Sequence, residues 1–152
     1  MKNTYFLPLG GTGEIGMNLN LYGYGEGNNI EWFMVDCGVT FSQVGLPGID
    51  LQMPDPTFIA SQKDKLMGII LTHAHEDHIG AMPFIWPYFK CPIYTTEFTA
   101  ALLMEKFDEY NIDYTDKIII HNDGGIINIG NFQVKAIGLT HSIPEMNALL
   151  IK

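Results

Sequence analysis

Three histidines and two carboxylates fall within six residues in His73-Ala74-His75-Glu76-Asp77-His78. Imidazole nitrogens with one carboxylate oxygen form the donor set that suits zinc and similar borderline cations, and the same groups accept manganese. A lone histidine is more often a hydrogen-bonded surface or core residue than a ligand. Here the residues come as H-x-H-x-D-H. His73 and His75, two apart at a strand end, point the same way, and Asp77 and His78 follow where the chain must turn. Neutral imidazoles and a carboxylate have little structural reason to converge without a cation, so His73, His75, Asp77 and His78 are candidate metal ligands.

The elements that must position them are legible on either side. Residues 66–71 form a short apolar run that reads as a buried strand delivering His73 to a loop. Residues 132–139 repeat the device and deliver His141, the fifth candidate ligand. A strand over 30–35 ends at Asp36-Cys37-Gly38. Asp36 there is either a turn aspartate or an outer acceptor that fixes a ligand histidine. His121, in His121-Asn122-Asp123-Gly124-Gly125, is expected in a solvent-exposed turn and not as a ligand.

A second motif competes for attention. Gly11-Thr12-Gly13-Glu14-Ile15-Gly16 fits G-x-G-x-x-G, and Asp36 stands 20 residues past Gly16. Dinucleotide binding requires a helix after the glycines. Instead, residues 17–24 alternate apolar and polar types, which is the period of a half-buried strand. Elsewhere, residues 39–57 read as a long loop, 58–65 as a short helix and 117–120 as a strand. A helix beginning close to Gly80 carries Ile79, Met82, Trp86 and Phe89 on one face, with Pro83 in its first turn. A further helix, capped by Thr95 or Thr96, carries the stripe Ala100, Leu103, Met104, Phe107 and Tyr110. Strands over 126–129 and 132–139 flank a Gly130-Asn131 turn, and a last one begins at Asn147.

The 152 residues suffice for one domain with its own core, and 47% of them are hydrophobic against 16% charged. No apolar run reaches the ~18 residues of a membrane helix, and no signal peptide opens the chain, so no membrane partner and a cytoplasmic location are expected. Cys37 and Cys91 are expected as buried free thiols. A net charge of −9, with eight lysines and no arginine, argues against a nucleic-acid surface on this segment itself. Two divalent cations would offset part of that charge, and a partner domain more.

Together these residues resemble the metallo-β-lactamase fold and, within it, the β-CASP ribonucleases of the ribonuclease J type. The likeness rests on the glycine-rich segment 7–18, Val35-Asp36, Leu46-Pro47-Gly48-Ile49-Asp50, the H-x-H-E-D-H segment 71–81, and Thr140-His141-Ser142-Ile143-Pro144-Glu145. It implies an α+β, four-layer αββα sandwich, of which this chain would hold the amino-terminal half: roughly the first β-sheet with its helices. His73, His75 and His141 would hold one zinc, and Asp77 and His78 a second. Asp36 would support the metal loops, and Asp77 would orient the attacking hydroxide. The implied reaction is hydrolysis of RNA phosphodiester bonds, in 5′ exonucleolytic and endonucleolytic modes, by a complete enzyme that is a homo-oligomer. Members of that family take a bridging aspartate, a late histidine ligand and β-CASP and carboxy-terminal domains from further along their chains. The 152 residues thus look like a partial metallo-β-lactamase domain, inactive alone, with an uncovered apolar sheet face. Two other readings share the ligands: a small-molecule metallo-hydrolase of the same fold, and a catalytically silent metal-binding or assembly module.

Overall fold

The computed structural model describes residues 1–41 and 48–152. Leu46 and Pro47 of the third segment above lie outside the described residues. Strands β1 (Asn3–Gly10), β2 (Leu19–Glu26) and β3 (Asn29–Val35) form an antiparallel meander. Strands β4 (Thr40–Phe41) and β5 (Leu51–Gln52) pair antiparallel within the stretch expected as plain loop. After α1 (Thr57–Ala60) and a 3₁₀ turn at Lys63–Lys65, the strand β6 (Leu66–Ile70) lies parallel to β3. One-turn helices α2 (Glu76–Ile79) and α3 (Met82–Ile85) follow, then a 3₁₀ turn at Trp86–Tyr88. Next come β7 (Ile93–Thr95), α4 (Glu97–Glu109) and β8 (Ile118–Ile120). The chain ends its course in β9 (Ile126–Ile129), β10 (Phe132–Gly138) and β11 (Asn147–Ile151).

The first sheet has the order β1-β2-β3-β6-β7-β8, antiparallel at its start and parallel from β3 onward. Its central strand reads as the unbroken apolar run Trp32-Phe33-Met34-Val35 because both faces are covered. Trp32 and Met34 face the helices, where they pack with Ile69, Leu71, Ile79, Met82, Trp86, Leu103 and Phe107. Phe33 and Val35 face the other way and meet Ile70, Ile127, Ile129, Phe132 and Val134. Gly68 permits that second contact, since a Cβ there would stand 2.8 Å from the Ile129 methyl. Cys37 and Cys91 are buried free thiols.

The second-sheet contact extends the sequence expectation. Besides the first sheet and its helices, the chain contains three strands of a second sheet, ordered β11-β10-β9. Alternation marks these strands in the sequence but does not name the sheet they join. Two helical expectations also change. Pro83 and Pro87, each in the first turn of its segment, break the expected helix after Gly80 into α3 and a 3₁₀ turn, and helical structure already starts at Glu76. Tyr110 ends α4 and is exposed, so the buried stripe stops at Phe107. Thr96 is the first residue of α4's cap, as expected, but makes no side-chain capping bond.

Three strands cannot cover six. The middle of the first sheet is shielded, while Phe6 on β1 (56% exposed) and Ile119 on β8 (41%) flank the shielded zone. Ile126, Ile137 and Leu150 stand exposed on the second sheet's outer side. Among the described residues, the uncovered apolar surface of the two sheets is therefore at the two ends of the first and outside the second, not across the whole inner face. We expect the 152-residue chain to self-associate at micromolar concentration, read as a mass above 17.0 kDa by light scattering. Phe6→Ser with Ile119→Ser should move that mass toward the monomer; monodisperse monomer in the unsubstituted chain would contradict the expectation.

Candidate metal centre

The register of two neighbouring strands builds the site. Met34 pairs with Ile69 and Val35 with Ile70, so β3 and β6 end side by side, and the Asp36 amide donates to the Ile70 carbonyl at 2.9 Å. Asp36 takes the left-handed conformation, φ 62°, which aspartate tolerates better than most residues. Its carboxylate is buried beside the start of the histidine loop. Oδ1 accepts from the Thr72 amide at 2.8 Å, and the Thr72 hydroxyl lies 2.9 and 3.0 Å from the two oxygens. Nδ1 of His78 sits 2.7 Å from Oδ2.

These bonds assign the imidazole tautomers. A carboxylate only accepts, so His78 donates through Nδ1 and leaves Nε2 with a free lone pair. The Thr72 hydroxyl has one proton; given to Asp36, its oxygen accepts from His73 Nδ1, 2.9 Å away. His73 is then also left with Nε2 as its lone-pair atom. One buried carboxylate thus prepares two histidines as ligands, the first directly and the second through a threonine.

His73 Nε2 lies 3.0 Å from His75 Nδ1, and His141 Nε2 lies 3.2 Å from the same atom. The three ligand atoms fall within 4.8 Å of one another. Zinc–nitrogen bonds of about 2.0–2.1 Å at tetrahedral angles place nitrogens about 3.3 Å apart, close to the two spacings about His75 Nδ1, so the three residues could hold a single ion. His73 is buried, His75 half-buried and His141 exposed, which opens the cluster to solvent on the His141 side. His73 and His75 follow β6 of the first sheet, whereas His141 follows β10 of the second.

Asp77 and His78 form a separate pair. Asp77 Oδ2 lies 3.3 Å from His78 Nε2, and the Asn18 side-chain amide donates to the Asp77 carbonyl at 3.0 Å and approaches Oδ2 at 3.3 Å. Among the described residues no third histidine, cysteine or carboxylate completes a cluster around this pair. Backbone bonds lace it to the chain after Asp36: Cys37 N donates to the His78 carbonyl at 2.7 Å and Val39 N to that of Glu76 at 3.0 Å. Only glycine fits between, since a Cβ on Gly38 would sit 1.7 Å from the Asp77 carbonyl oxygen.

The electrostatics separate the histidines. Burial and the neighbouring His78 hold the His73 pKa down to about 4, so His73 is neutral, as a ligand must be. Burial also works against charge on His78, but the hydrogen bond and charge of Asp36, aided by Asp77, raise its pKa above the ordinary value.

A family model described as the metallo-beta-lactamase superfamily matches residues 26–142. The chain belongs to that superfamily. Over 149 residues it is 52% identical to a ribonuclease J of Sinorhizobium meliloti, a match covering 97% of this chain and 26% of the relative. It is 38% identical over 146 residues to a ribonuclease J of Helicobacter pylori, covering 95% of this chain and 21% of the relative. The chain thus spans about a quarter of the length of the curated relatives it matches. Among solved structures, the metallo-beta-lactamase fold protein YhfI of Bacillus subtilis superposes with a TM-score of 0.63 at 17% identity, covering 99% of this chain and 57% of that one. The Rm3 metallo-beta-lactamase does so with 0.63 at 16%, covering 96% and 53%. At such identities they show the fold alone. Superfamily and relatives support a hydrolase fold that carries metal ions, and the histidine triad is suited to one.

Within this superfamily member the expected ligands fall into two groups: His73, His75 and His141 come together, and Asp77 pairs with His78. Asp36 lies behind the ligands, where it contacts His78 and Thr72. His121 is half-buried instead of solvent-exposed, with Nε2 shielded from water and unpartnered. It is not in the triad. Thr72 and Asn18 hold the ligands in place without having been singled out in the sequence. Thr72 adjoins His73, but the carboxylate that gives it a role stands 36 residues away. Asn18 reads only as a polar member of an alternating strand.

Asp36→Ala leaves the His78 Nδ1–H and the Thr72 groups without their acceptor. We expect a 10–100-fold loss of zinc affinity by competitive chelator titration, with about 1–3 kcal/mol of stability. A second expectation concerns pH. The folded pKa of His73 is depressed below its unfolded value, so the unfolded chain binds more protons between pH 6.5 and about 4. The stability His73 contributes to chelator-treated protein should be lost as pH falls through that window. His73→Gln should flatten the fall in urea denaturation; an unaltered slope would contradict the assignment.

Proposed function

We propose that this chain is the metal-holding, amino-terminal part of a zinc-dependent ribonuclease of the ribonuclease J type, acting on RNA phosphodiester bonds in the cytoplasm in 5′ exonucleolytic and endonucleolytic modes. What carries the reading is the three-imidazole cluster on a chain 52% identical over 149 residues to a ribonuclease J. His73, His75 and His141 hold the first zinc, and Asp77 and His78 contribute to the second, where manganese also fits. When bound, the two ions lower the pKa of the attacking water and neutralise charge on the phosphate.

The chain's own residues do the rest. Asp36 keeps His73 and His78 in their ligating tautomers. The Asp77 carboxylate, 41% exposed and steadied by Asn18, orients water for in-line attack. The net charge of −9 gives the chain little attraction for an anionic polymer, so RNA affinity comes from the metals and from residues beyond these 152. The pair at Asp77 and His78 likewise takes its remaining ligands from outside the segment, and the isolated chain is inactive. That incomplete pair equally favours a silent metal-binding module, so the test must separate the two.

A chimera does so. The matching segment of the Sinorhizobium meliloti ribonuclease J is replaced by these residues, and cleavage of 5′-monophosphorylated RNA is followed. The isolated chain is expected to hold one zinc by elemental analysis and to cut nothing. The chimera is expected to cut with two metals bound, and His73→Ala or Asp77→Asn in it should lower the rate by about a thousandfold or more. A folded chimera that binds two metals and leaves RNA intact would support the silent module instead.

A further inference from the structure

We propose that Glu145 is a positioning residue for the metal centre: it caps α4 from outside that helix and thereby holds His141 against His73 and His75. The proposal rests on reading those three histidines as metal ligands.

Two incomplete structures meet at this carboxylate. The first is the amino terminus of α4, thirteen residues long, whose cap residue Thr96 makes no side-chain capping bond. The Thr96 hydroxyl is turned toward Thr99 Oγ1, 3.2 Å away. A cap side chain ordinarily accepts from the amide of the second or third helical residue. The Phe98 amide, the second, instead donates to Glu145 Oε2 at 2.9 Å, across 47 residues of sequence. A carboxylate at a helix amino terminus is also favoured by the helix dipole.

The second is the loop from Leu139 to Met146 that carries His141. It is closed at its base by the Leu139 amide on the Met146 carbonyl, 2.9 Å. A pocket of about 440 Å³ lies between part of this loop and Thr96, Glu97 and His121. Ile143 reaches the helix-side core, and Asn147 ties the loop's end to the site, its amide donating to the Thr72 carbonyl at 3.1 Å. Asn147 Nδ2 donates to the carbonyl of Glu145 at 2.7 Å. Glu145 is thus gripped by both backbone and side chain, and it stands at φ 58°, a conformation that favours glycine. The fold keeps a glutamate where glycine would relieve the backbone, and its side chain there accepts from the Phe98 amide. His141 is itself exposed, so its place relative to His73 and His75 depends on how this loop is moored.

Glu145→Gly removes the carboxylate while relieving the backbone, Glu145→Ala removes it alone, and Glu145→Gln keeps an oxygen that can accept from Phe98. Zinc affinity by chelator competition is expected to fall about tenfold in Glu145→Gly and Glu145→Ala, and to stay within about threefold in Glu145→Gln. Adding His141→Ala to Glu145→Gly should cost far less affinity than His141→Ala costs alone. Amide hydrogen exchange, measured without metal, should rise at Phe98 and across 139–146 in the Gly and Ala variants. Wild-type affinity in Glu145→Gly, full additivity with His141→Ala, or unchanged exchange would each overturn the proposal. If the unsubstituted chain took up no zinc, the metal-ligand reading would fail on its own, and the exchange data would still decide whether Glu145 moors the loop.

Discussion

The Asp36 carboxylate is buried where two parallel strands end, and the rest of the site follows from its need for hydrogen-bond donors. A buried carboxylate without partners costs far more than an exposed one, so the chain must bring donors to it. It does so with the Thr72 amide, the Thr72 hydroxyl and His78 Nδ1. Thr72 immediately precedes the H-x-H-x-D-H segment and His78 ends it, so satisfying one carboxylate draws the two ends of that segment together. Asp36 itself stands in a left-handed conformation that costs free energy, and these bonds offset it.

The network also explains why the histidines behave differently although they are crowded together. His73 and His78 have ring centroids 4.0 Å apart. Two imidazolium ions cannot share that space at low cost, and the direct bond to Asp36 favours charge on His78 over charge on His73. His73 is left neutral, and its Nε2 turns toward His75. Asp36 therefore fixes the Nδ1 proton of both rings, directly on His78 and through Thr72 on His73.

What could be read from the sequence was whatever depends on local order. The apolar run before His73, the alternation over residues 17–24 and the turn at Gly130-Asn131 each identify an element from its own residues, and each stands where expected. The alternation also removes the dinucleotide reading, since β2 follows the glycines in place of a helix. What could not be read depends on register between distant strands. Asn18 meets Asp77 across 59 residues, and neither residue's neighbours announce the meeting. The two-residue strands β4 and β5 are too short for any periodicity. The second sheet's place depends on Gly68 being small enough to admit Ile129.

The triad's origin in two sheets has a consequence for stability as well as for chemistry. His73 and His75 are carried by the first sheet and His141 by the second, and the sheets touch through an apolar layer that includes Phe33, Ile70, Ile127 and Val134. An ion held by all three histidines cross-links those layers at their rim. Binding to the folded arrangement alone then adds to the free energy of sheet packing, in proportion to the logarithm of free ion over its dissociation constant. The coupling is reciprocal: a cavity cut into the apolar layer, far from any ligand, loosens the spacing on which the nitrogens depend and weakens the ion's hold. Packing at Phe33 and Val134 is thereby linked to the hold of an ion by the three imidazoles, because the ligands come from both sides of that apolar layer.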